Sequence, residues 1–218
     1  MTAKAYESLW REARKLGRHM AKGKGPPPLL FFTDPSRTPD PSRVLRRMPP
    51  GSGLVYRAFG ADDAESVGRR LASLARRKGV VFFVGADIGL AVRLRADGIH
   101  LPERQSRRAG DNQRLGKRFI LTAAAHDLPA VLRSARANIA AIVCSAIFTS
   151  NSPSAGAPIG TRRLATMVRA CALPVLALGG VKASTIGRLR HTGVVGAAAI
   201  GGLIEIELQA EPGSASRT

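Results

Sequence analysis

Two glycine pairs, Gly179-Gly180 and Gly201-Gly202, each stand at the end of a short apolar segment. The first pair follows Pro-Val-Leu-Ala-Leu and the second follows Ala-Ala-Ala-Ile. A strand that ends in glycine lets a ligand approach bare backbone N–H groups, which bind phosphate oxygens. Two consecutive strand ends of this kind hold a phosphate after the seventh and eighth strands of a (β/α)8 barrel. The pattern therefore predicts a site for a phosphorylated small molecule.

The segments that must position these glycines alternate between apolar strands and helical stretches. Strands are predicted at residues 29–33, 54–56, 80–84, 98–101, 119–123, 140–144, 175–178 and 196–200. Helices are predicted between them at 42–47, 62–77, 88–94, 128–137, 162–170 and 184–192. About eight strands separated by helices are typical of βα units and a parallel sheet. With the two glycine pairs, they predict an α/β fold, a single (β/α)8 TIM barrel. A doubly wound sheet is the alternative, because periodicity does not show closure.

An amphipathic helix is predicted ahead of the barrel. Between Ala3 and Ala21, apolar residues recur at helical spacing with basic residues between them, and a Gly/Pro-rich stretch follows. We expect an N-terminal helix and linker at 1–28, the barrel at 29–204, and a C-terminal tail at 205–218. The tail is expected to be flexible, and it is too short for a full last helix.

The charge balance is strongly basic, because 34 lysines and arginines against 15 aspartates and glutamates give a net charge of +19. Such a field favours anionic partners, either a phosphorylated metabolite or nucleic acid. The basic residues stand singly or in pairs along predicted helices, without a nucleic-acid motif, so solvated helix faces are favoured and a nucleic-acid partner is not expected. No long apolar run or secretory signal is visible, so we expect a cytoplasmic protein without a membrane partner. A homo-oligomer is left open.

Polar residues follow several of the predicted strands, where a (β/α)8 barrel carries its chemistry. In chain order they are Thr33, Asp34, Arg57, Asp87, Glu103 and His126. The loop at 149–160 is rich in Ser, Gly and Pro. Its hydroxyls suit phosphate oxygens and its flexibility suits a lid, while a surface linker is the alternative.

The remaining histidines and the cysteines are predicted to be structural or solvated. His100 lies in an apolar strand and is expected in the core, whereas His19 and His191 lie in basic helical segments. Cys144 and Cys171 lack metal-ligand spacing, so no catalytic role is expected for either thiol.

Several of these segments together resemble the thiamine-phosphate synthase and thiazole tautomerase superfamily, over about residues 29–204. They are Thr33-Asp34, Ala96-Asp-Gly-Ile-His-Leu101, Ala125-His126, Pro158-Ile-Gly160 and the two apolar segments with their glycine pairs. The resemblance implies a (β/α)8 barrel that binds a thiazole phosphate at the last two strand ends. The phosphate-binding residues that it implies are Gly179, Gly180, Ile200, Gly201, Gly202, Ser150 and Ser152.

For the synthase branch, the resemblance implies that Mg²⁺ assists the ionisation of a pyrimidine diphosphate, and that the thiazole nitrogen captures the carbocation. The two metal-ligand positions of that branch hold Ala86 and Gln105 here. Mg²⁺ needs well-placed oxygen ligands, which these side chains do not replace. We therefore expect no metal and no cofactor, with Mg²⁺ only if the divergent site still works as a synthase. In that case Asp87 and Glu103 are the nearest carboxylates.

The cations of the synthase pattern are also reduced. Two of their positions hold Phe59 and Pro153, while Arg57 survives. For the tautomerase branch, the resemblance implies that His126 moves a proton on a thiazole carboxylate phosphate, and an imidazole suits this task because its pKa lies near neutrality. We expect His126 and Arg57 to be the catalytic residues. The alternative for His126 is a histidine that only packs or caps a helix.

Three functions remain open. The first is an enzyme of thiamine biosynthesis, either tautomerase-like or a divergent synthase. The second is a barrel that keeps the phosphate pocket without turnover. The third is an anion-binding or nucleic-acid-binding protein, which only the net charge of +19 suggests.

Overall fold

A closed barrel of eight parallel strands forms the centre of the protein. The computed structural model describes residues 2–18, 26–107, 113–134, 138–150 and 156–200. The strands are β1 (Leu29–Phe32), β2 (Gly53–Tyr56), β3 (Val81–Gly85), β4 (Gly98–Leu101), β5 (Ile120–Ala125), β6 (Ala141–Cys144), β7 (Val175–Leu178) and β8 (Gly196–Ala199). Each strand pairs with the next in chain order, and β8 pairs with β1. The predicted (β/α)8 barrel is confirmed, and the doubly wound sheet is excluded.

Helices connect most of the strands on the outside of the barrel. They are α1 (Thr2–Leu16), α2 (Pro41–Arg47), α3 (Ala64–Lys78), α4 (Ile88–Leu94), α5 (Leu128–Ser134) and α6 (Gly160–Arg169). Short 3₁₀ helices lie at Gln105–Arg107 and Ile186–Leu189. Among the helices of the described residues, none has the length and apolar composition needed to cross a lipid bilayer.

The connection after β7 is shorter than the sequence predicts. A helix is expected at 184–192, but the structure has only the 3₁₀ helix Ile186–Leu189. Arg190 leaves the helical region with φ −56° and ψ 142°, and left-handed His191 and Gly193 follow it. The helix predicted at 184–192 is therefore wrong, because the backbone leaves the helical conformation after Leu189. The shortened last helix and the tail at 205–218 that the sequence predicts lie outside the described residues.

Side chains alternate between the inside of the barrel and its helix-covered outside, as the two-residue period of a strand requires. The apolar side chains packed inside are Leu30, Phe32, Val55, Phe83, Ala141, Val143, Leu176 and Ala198. The alternate residues, such as Phe31, Leu54 and Phe82, pack in the outer cluster. The same period carries the inward series beyond the strand ends to Asp34 and Arg57.

Helix α1 covers the seam at which the barrel closes. It contacts β8, β1 and the 3₁₀ helix after β7. Tyr6, Leu9 and Ala13 are almost fully buried in the outer cluster. A Cβ atom on Gly17 would lie 2.5 Å from the Val195 carbonyl oxygen, so the chain here approaches β8 closely. The predicted N-terminal helix therefore belongs to the outer layer of the barrel.

Replacement of Leu9 by alanine tests whether α1 is part of the folded barrel. Leu9 is 1% exposed. Leu9→Ala is expected to lower the free energy of unfolding by about 2–5 kcal/mol, because the variant loses apolar burial and leaves a cavity. Arg11→Ala, at an exposed position of the same helix, is the control and should change it by less than about 0.5 kcal/mol. Urea denaturation measures both. Equal stability of the two variants would show that α1 does not support the barrel.

Candidate functional site

The carboxyl ends of the strands form one mouth, and among the predicted polar residues Thr33, Asp34 and Arg57 come into contact there. Arg57 continues the inward series of β2, and its position is fixed from β1 by two hydrogen bonds. Its backbone N–H donates to Thr33 Oγ1 at 2.9 Å, and its Nε donates to the Thr33 carbonyl oxygen at 2.6 Å. The guanidinium carbon lies 5.7 Å from the centre of the Phe32 ring and 5.1 Å from that of Phe59. These hydrogen bonds and ring contacts hold the positive charge of Arg57 in place at the mouth.

Asp34 links Arg57 to a second guanidinium. Its carboxylate accepts hydrogen bonds from Ser36 Oγ at 2.6 Å and from Arg37 Nη2 at 2.9 Å, and Arg57 Nη2 lies 3.5 Å away. Burial raises the pKa of Asp34, but the hydrogen bonds from Ser36 and Arg37 and the charges of both arginines outweigh it and lower the pKa to about 2. Asp34 is therefore ionised at neutral pH.

The guanidinium of Arg57 stays charged although the side chain is partly buried. Burial lowers the pKa of Arg57, and the Asp34 carboxylate opposes this shift. An arginine stays protonated in proteins, because its ordinary pKa lies far above neutrality. Two guanidinium groups and one carboxylate leave a net charge of +1 on Arg37, Arg57 and Asp34.

His126 lies exposed at the mouth after β5 and is oriented from β6. Its Nδ1 lies 3.0 Å from the Ser145 carbonyl oxygen and 3.2 Å from Ser145 Oγ. A carbonyl oxygen only accepts, so this contact favours the tautomer that carries the proton on Nδ1 and leaves Nε2 as the acceptor. The neighbouring Asp127 accepts a hydrogen bond from the Ala130 backbone N–H at 2.7 Å and so caps α5. The arrangement presents an oriented imidazole that can accept a proton.

The glycine pair after β7 has backbone and packing requirements of its own. Gly179 has φ +99° and Gly180 has φ +64°, both in the left-handed region. A Cβ atom on Gly180 would lie 2.4 Å from the Thr149 carbonyl oxygen, and one on Gly179 would lie 2.8 Å from Ala146 Cα. These glycines let the segment after β6 approach β7, so substituting them would disturb the backbone as well as any ligand.

The other predicted phosphate-binding residues are only partly described. Ile200 is half-buried at the top of the barrel interior, packed against the interior cluster. Ser150 is half-buried after β6. Gly201, Gly202 and residues 151–155 of the loop predicted as a lid, which include Ser152 and Pro153, lie outside the described residues. The assignment of the phosphate to these residues stays a prediction.

The carboxylates nearest the former metal-ligand positions have other partners. Asp87 accepts a hydrogen bond from the Leu90 backbone N–H at 2.8 Å and caps α4. Glu103 Oε1 lies 3.2 Å from Arg133 Nη2. Ala86 and Gln105 are exposed. Within the described ranges, no group of three or more His, Cys, Asp or Glu side chains is placed to hold a metal ion. Asp87 and Glu103 are thus engaged by the α4 N-terminus and by Arg133, and the expected absence of a metal stays a prediction.

His100 supports the mouth from inside the barrel, as predicted for a core histidine. It is buried, its Nδ1 lies 3.0 Å from Thr122 Oγ1, and its ring meets the Phe32 ring edge-on at 4.8 Å. Burial and then the charge of Arg57 lower its pKa to about 3. His100 is therefore neutral. Among the cysteines, burial raises the pKa of Cys144 to about 12, so its thiol is a poor nucleophile.

Sequence reasoning missed two partners at the mouth, Ser145 and Arg37. Ser145 directly follows β6, and the inward period of Val143 would have placed it in the mouth. Arg37 stands three residues after Asp34 in a turn, a spacing that does not by itself predict an ion pair.

Known proteins similar to this chain agree with the barrel fold described above. The pattern of the family described as thiamine monophosphate synthase matches residues 32–203. A thiamine-phosphate synthase of Chromobacterium violaceum is 33% identical over 163 residues, which cover 71% of this chain and 75% of that protein. The thiamine biosynthesis bifunctional protein ThiED of Geobacter sulfurreducens is 31% identical over 147 residues. That match covers 64% of this chain but only 29% of the bifunctional protein.

A solved structure shows the same fold. The thiamine phosphate pyrophosphorylase from Pyrococcus furiosus superposes with a TM-score of 0.66 over 83% of this chain and 93% of that chain, at 21% identity. The resemblance predicted from the strand-end motifs is confirmed by the family match, which spans most of the barrel. The chain belongs to the thiamine monophosphate synthase family.

Proposed function

We propose that the mouth of the barrel binds a thiazole phosphate and that His126 transfers a proton on the thiazole ring. The observation that carries the proposal is the contact of His126 Nδ1 with the Ser145 carbonyl oxygen at 3.0 Å. It orients the imidazole and leaves Nε2 as the base. A base that is oriented at a strand end can act on a ligand whose phosphate is anchored after β7 and β8 at the same mouth.

The proposed reaction moves a proton within one substrate molecule and needs no second substrate. His126 Nε2 takes a proton from a ring carbon, and the resulting imidazolium returns a proton to another position of the same ring system, so the product is an isomer. The Ser145 carbonyl stabilises the imidazolium through the Nδ1–H bond. The fixed positive charge of Arg57 stabilises negative charge that develops on the substrate when the proton leaves.

The same residues favour isomerisation over coupling with a pyrimidine diphosphate. A departing diphosphate needs several cations or a metal ion to neutralise its charge. Phe59 supplies no charge, and Asp87 and Glu103 already bind the α4 N-terminus and Arg133. Proton transfer needs neither a metal nor a leaving-group site. A barrel that binds the phosphate without turnover is the other outcome of the experiments below.

Replacing His126 tests the proton transfer. His126→Asn keeps a polar side chain of similar reach but removes the base, so turnover of a thiazole carboxylate phosphate should fall by about 10²–10⁴-fold with nearly unchanged affinity. His191→Asn, at an exposed histidine after the 3₁₀ helix, is the matched control and should keep the parent rate. Isomerisation is followed by NMR of the substrate. A parent rate in His126→Asn, or no isomerisation by the parent, would show that His126 is structural.

A pair of substitutions that differ mainly in charge tests the phosphate position. Ile200→Asp places a carboxylate at the end of β8, whereas Ile200→Asn introduces a side chain of nearly the same shape without the charge. The aspartate variant should bind thiazole phosphate at least about tenfold more weakly than the asparagine variant, because a nearby negative charge repels the phosphate. Calorimetric titration measures both affinities. Equal affinities would place the phosphate elsewhere.

Metal removal separates the proposed isomerisation from synthase chemistry. Chelation of divalent cations with EDTA should leave the isomerisation rate unchanged, because no step uses a metal ion. The unmodified protein should also form no thiamine phosphate from the thiazole and pyrimidine substrates when Mg²⁺ is added. The synthase of Chromobacterium violaceum serves as the positive control for that assay. Rapid Mg²⁺-dependent coupling by this chain would contradict the proposed function.

A further inference from the structure

Basic side chains of two helices meet near the amino ends of the strands, at the end of the barrel opposite the mouth. Arg43, Arg46 and Arg47 of α2 line one surface cavity. Lys78, the last residue of α3, donates from Nζ to the Arg46 carbonyl oxygen at 2.5 Å. Helices that connect parallel strands run back along them, so α2 and α3 end away from the mouth. These cations are therefore separate from the site proposed above.

Helix α1 adds an aromatic ring beside them. A Cβ atom on Gly51 would lie 3.6 Å from the Trp10 indole, and the Gly51 N–H donates to the Gly79 carbonyl oxygen at 2.7 Å. Trp10 thus lies against the loop that joins α2 to β2, next to the end of α3. The guanidinium carbon of Arg14 is 5.9 Å from the centre of the Trp10 ring. The ring is half-buried, and Trp10 is the only tryptophan of the chain.

These six residues form a basic surface: Trp10, Arg14, Arg43, Arg46, Arg47 and Lys78. Helix α2 contains no acidic residue. Glu65 is the one acidic residue of α3, and it pairs with Arg69 and Arg93 at the other end of that helix. Asp40 Oδ2 lies 3.7 Å from Arg46 Nη2, and Glu7 stands one turn before Trp10 on α1. Five cations and these last two carboxylates leave a net charge of +3 on the surface.

The position of Arg43 shows that the cations of α2 do more than complement the helix dipole. Arg46 and Arg47 stand in the last turn, where the carbonyl end of the helix stabilises a positive charge. Arg43 stands in the first turn, where the dipole disfavours a positive charge, and its side chain is exposed. An anionic partner would stabilise all three arginines together. In the sequence the cations stand singly or in pairs, and only the fold brings them to one surface.

We propose that the basic surface binds single-stranded nucleic acid. The phosphates of the strand accept hydrogen bonds from Lys78 and from the arginines of α2, whose guanidinium edges match pairs of phosphate oxygens. One base of the strand stacks on the ring of Trp10. A cationic surface with an aromatic ring suits a single strand, because a duplex keeps its bases stacked on one another and offers none to the protein.

This proposal goes beyond the proposed function, because none of its residues lies at the mouth. It also departs from the expectation drawn from the sequence, in which the basic residues are solvated faces of separate helices. The contact of Lys78 with Arg46 and that of Trp10 with the loop at Gly51 join the three helices into one surface.

The test titrates the full chain with oligodeoxythymidylate of about 12 nucleotides, a length within the usual range of single-strand sites. Fluorescence anisotropy of a labelled strand gives the affinity. The logarithm of the association constant should fall linearly with the logarithm of the salt concentration, by about 0.7 for each phosphate contact. The unlabelled strand should quench the emission of Trp10, because a base stacks on the ring. The duplex of the same strand with oligodeoxyadenylate should bind more weakly and leave that emission unchanged.

Two double variants with the same change in net charge separate the surface from the overall charge. Arg43→Gln with Arg46→Gln should lower the affinity at least about tenfold and the salt slope by about 1.4, because two phosphate contacts are lost. Arg162→Gln with Arg163→Gln, at exposed positions in the first turn of α6, is the matched control and should change the affinity by less than about twofold.

Variants of Trp10 test the stacked base. Trp10→Leu should bind the strand at least about fivefold more weakly, because it removes the stacking surface, whereas Trp10→Phe keeps a ring and should keep most of the affinity. The melting temperature from circular dichroism monitors the fold of each variant. Trp10→Phe and the quenching of Trp10 in the parent test the stacking even where Trp10→Leu is unstable.

Three results would overturn the proposal. One is an equal loss of affinity in the two double variants, which would show that only the net charge acts. Another is unchanged Trp10 emission when the strand is saturating. The third is inorganic polyphosphate that binds as tightly as the strand, which would show a surface for any polyanion. His126→Asn should bind the strand like the parent, so failure of the proposed isomerisation leaves this test intact.

Discussion

The pairing of β8 with β1 is the constraint on which the rest of the structure depends. Closure fixes the inside of the sheet, so alternate side chains of every strand point to one interior and continue to one mouth. Phe32 and Val55 lie in that interior, and Arg57 follows two residues after Val55. Helix α1 supports the closure from outside, because Leu9 and Ala13 pack at the β8–β1 seam.

The mouth combines two features that come from different strands. On one side, Thr33 and Asp34 hold the guanidinium of Arg57. On the other, the Ser145 carbonyl orients His126. Burial, and then the charge of Arg57, lower the pKa of His100 and keep that imidazole neutral. Of these two histidines, His126 is therefore the one that can serve as an exposed base.

The barrel of this chain agrees with its family, whereas the residues at the mouth of the barrel are the ones that decide its chemistry. The family match covers residues 32–203 and the strand order of a (β/α)8 barrel agrees with it. In the synthase pattern that the sequence resemblance implies, Ala86 stands where a carboxylate is expected and Phe59 where a cation is expected. The proposed isomerisation uses only groups that the mouth retains.

The sequence by itself determined the succession of strands and helices along the chain, the family and the residues that stand at the strand ends, because apolar runs, glycine pairs and the His126 motif are local features of the chain. Closure of the strands into a barrel was shown by the tertiary structure. Only the tertiary structure decided which of those residues act together. The contacts of His126 with Ser145 and of Arg57 with Thr33 join residues 19 and 24 positions apart. Such contacts depend on the register between neighbouring strands, which no local pattern specifies. The sequence also could not predict the packing of Gly180 against Thr149, because an open phosphate site and a close backbone approach both require glycine.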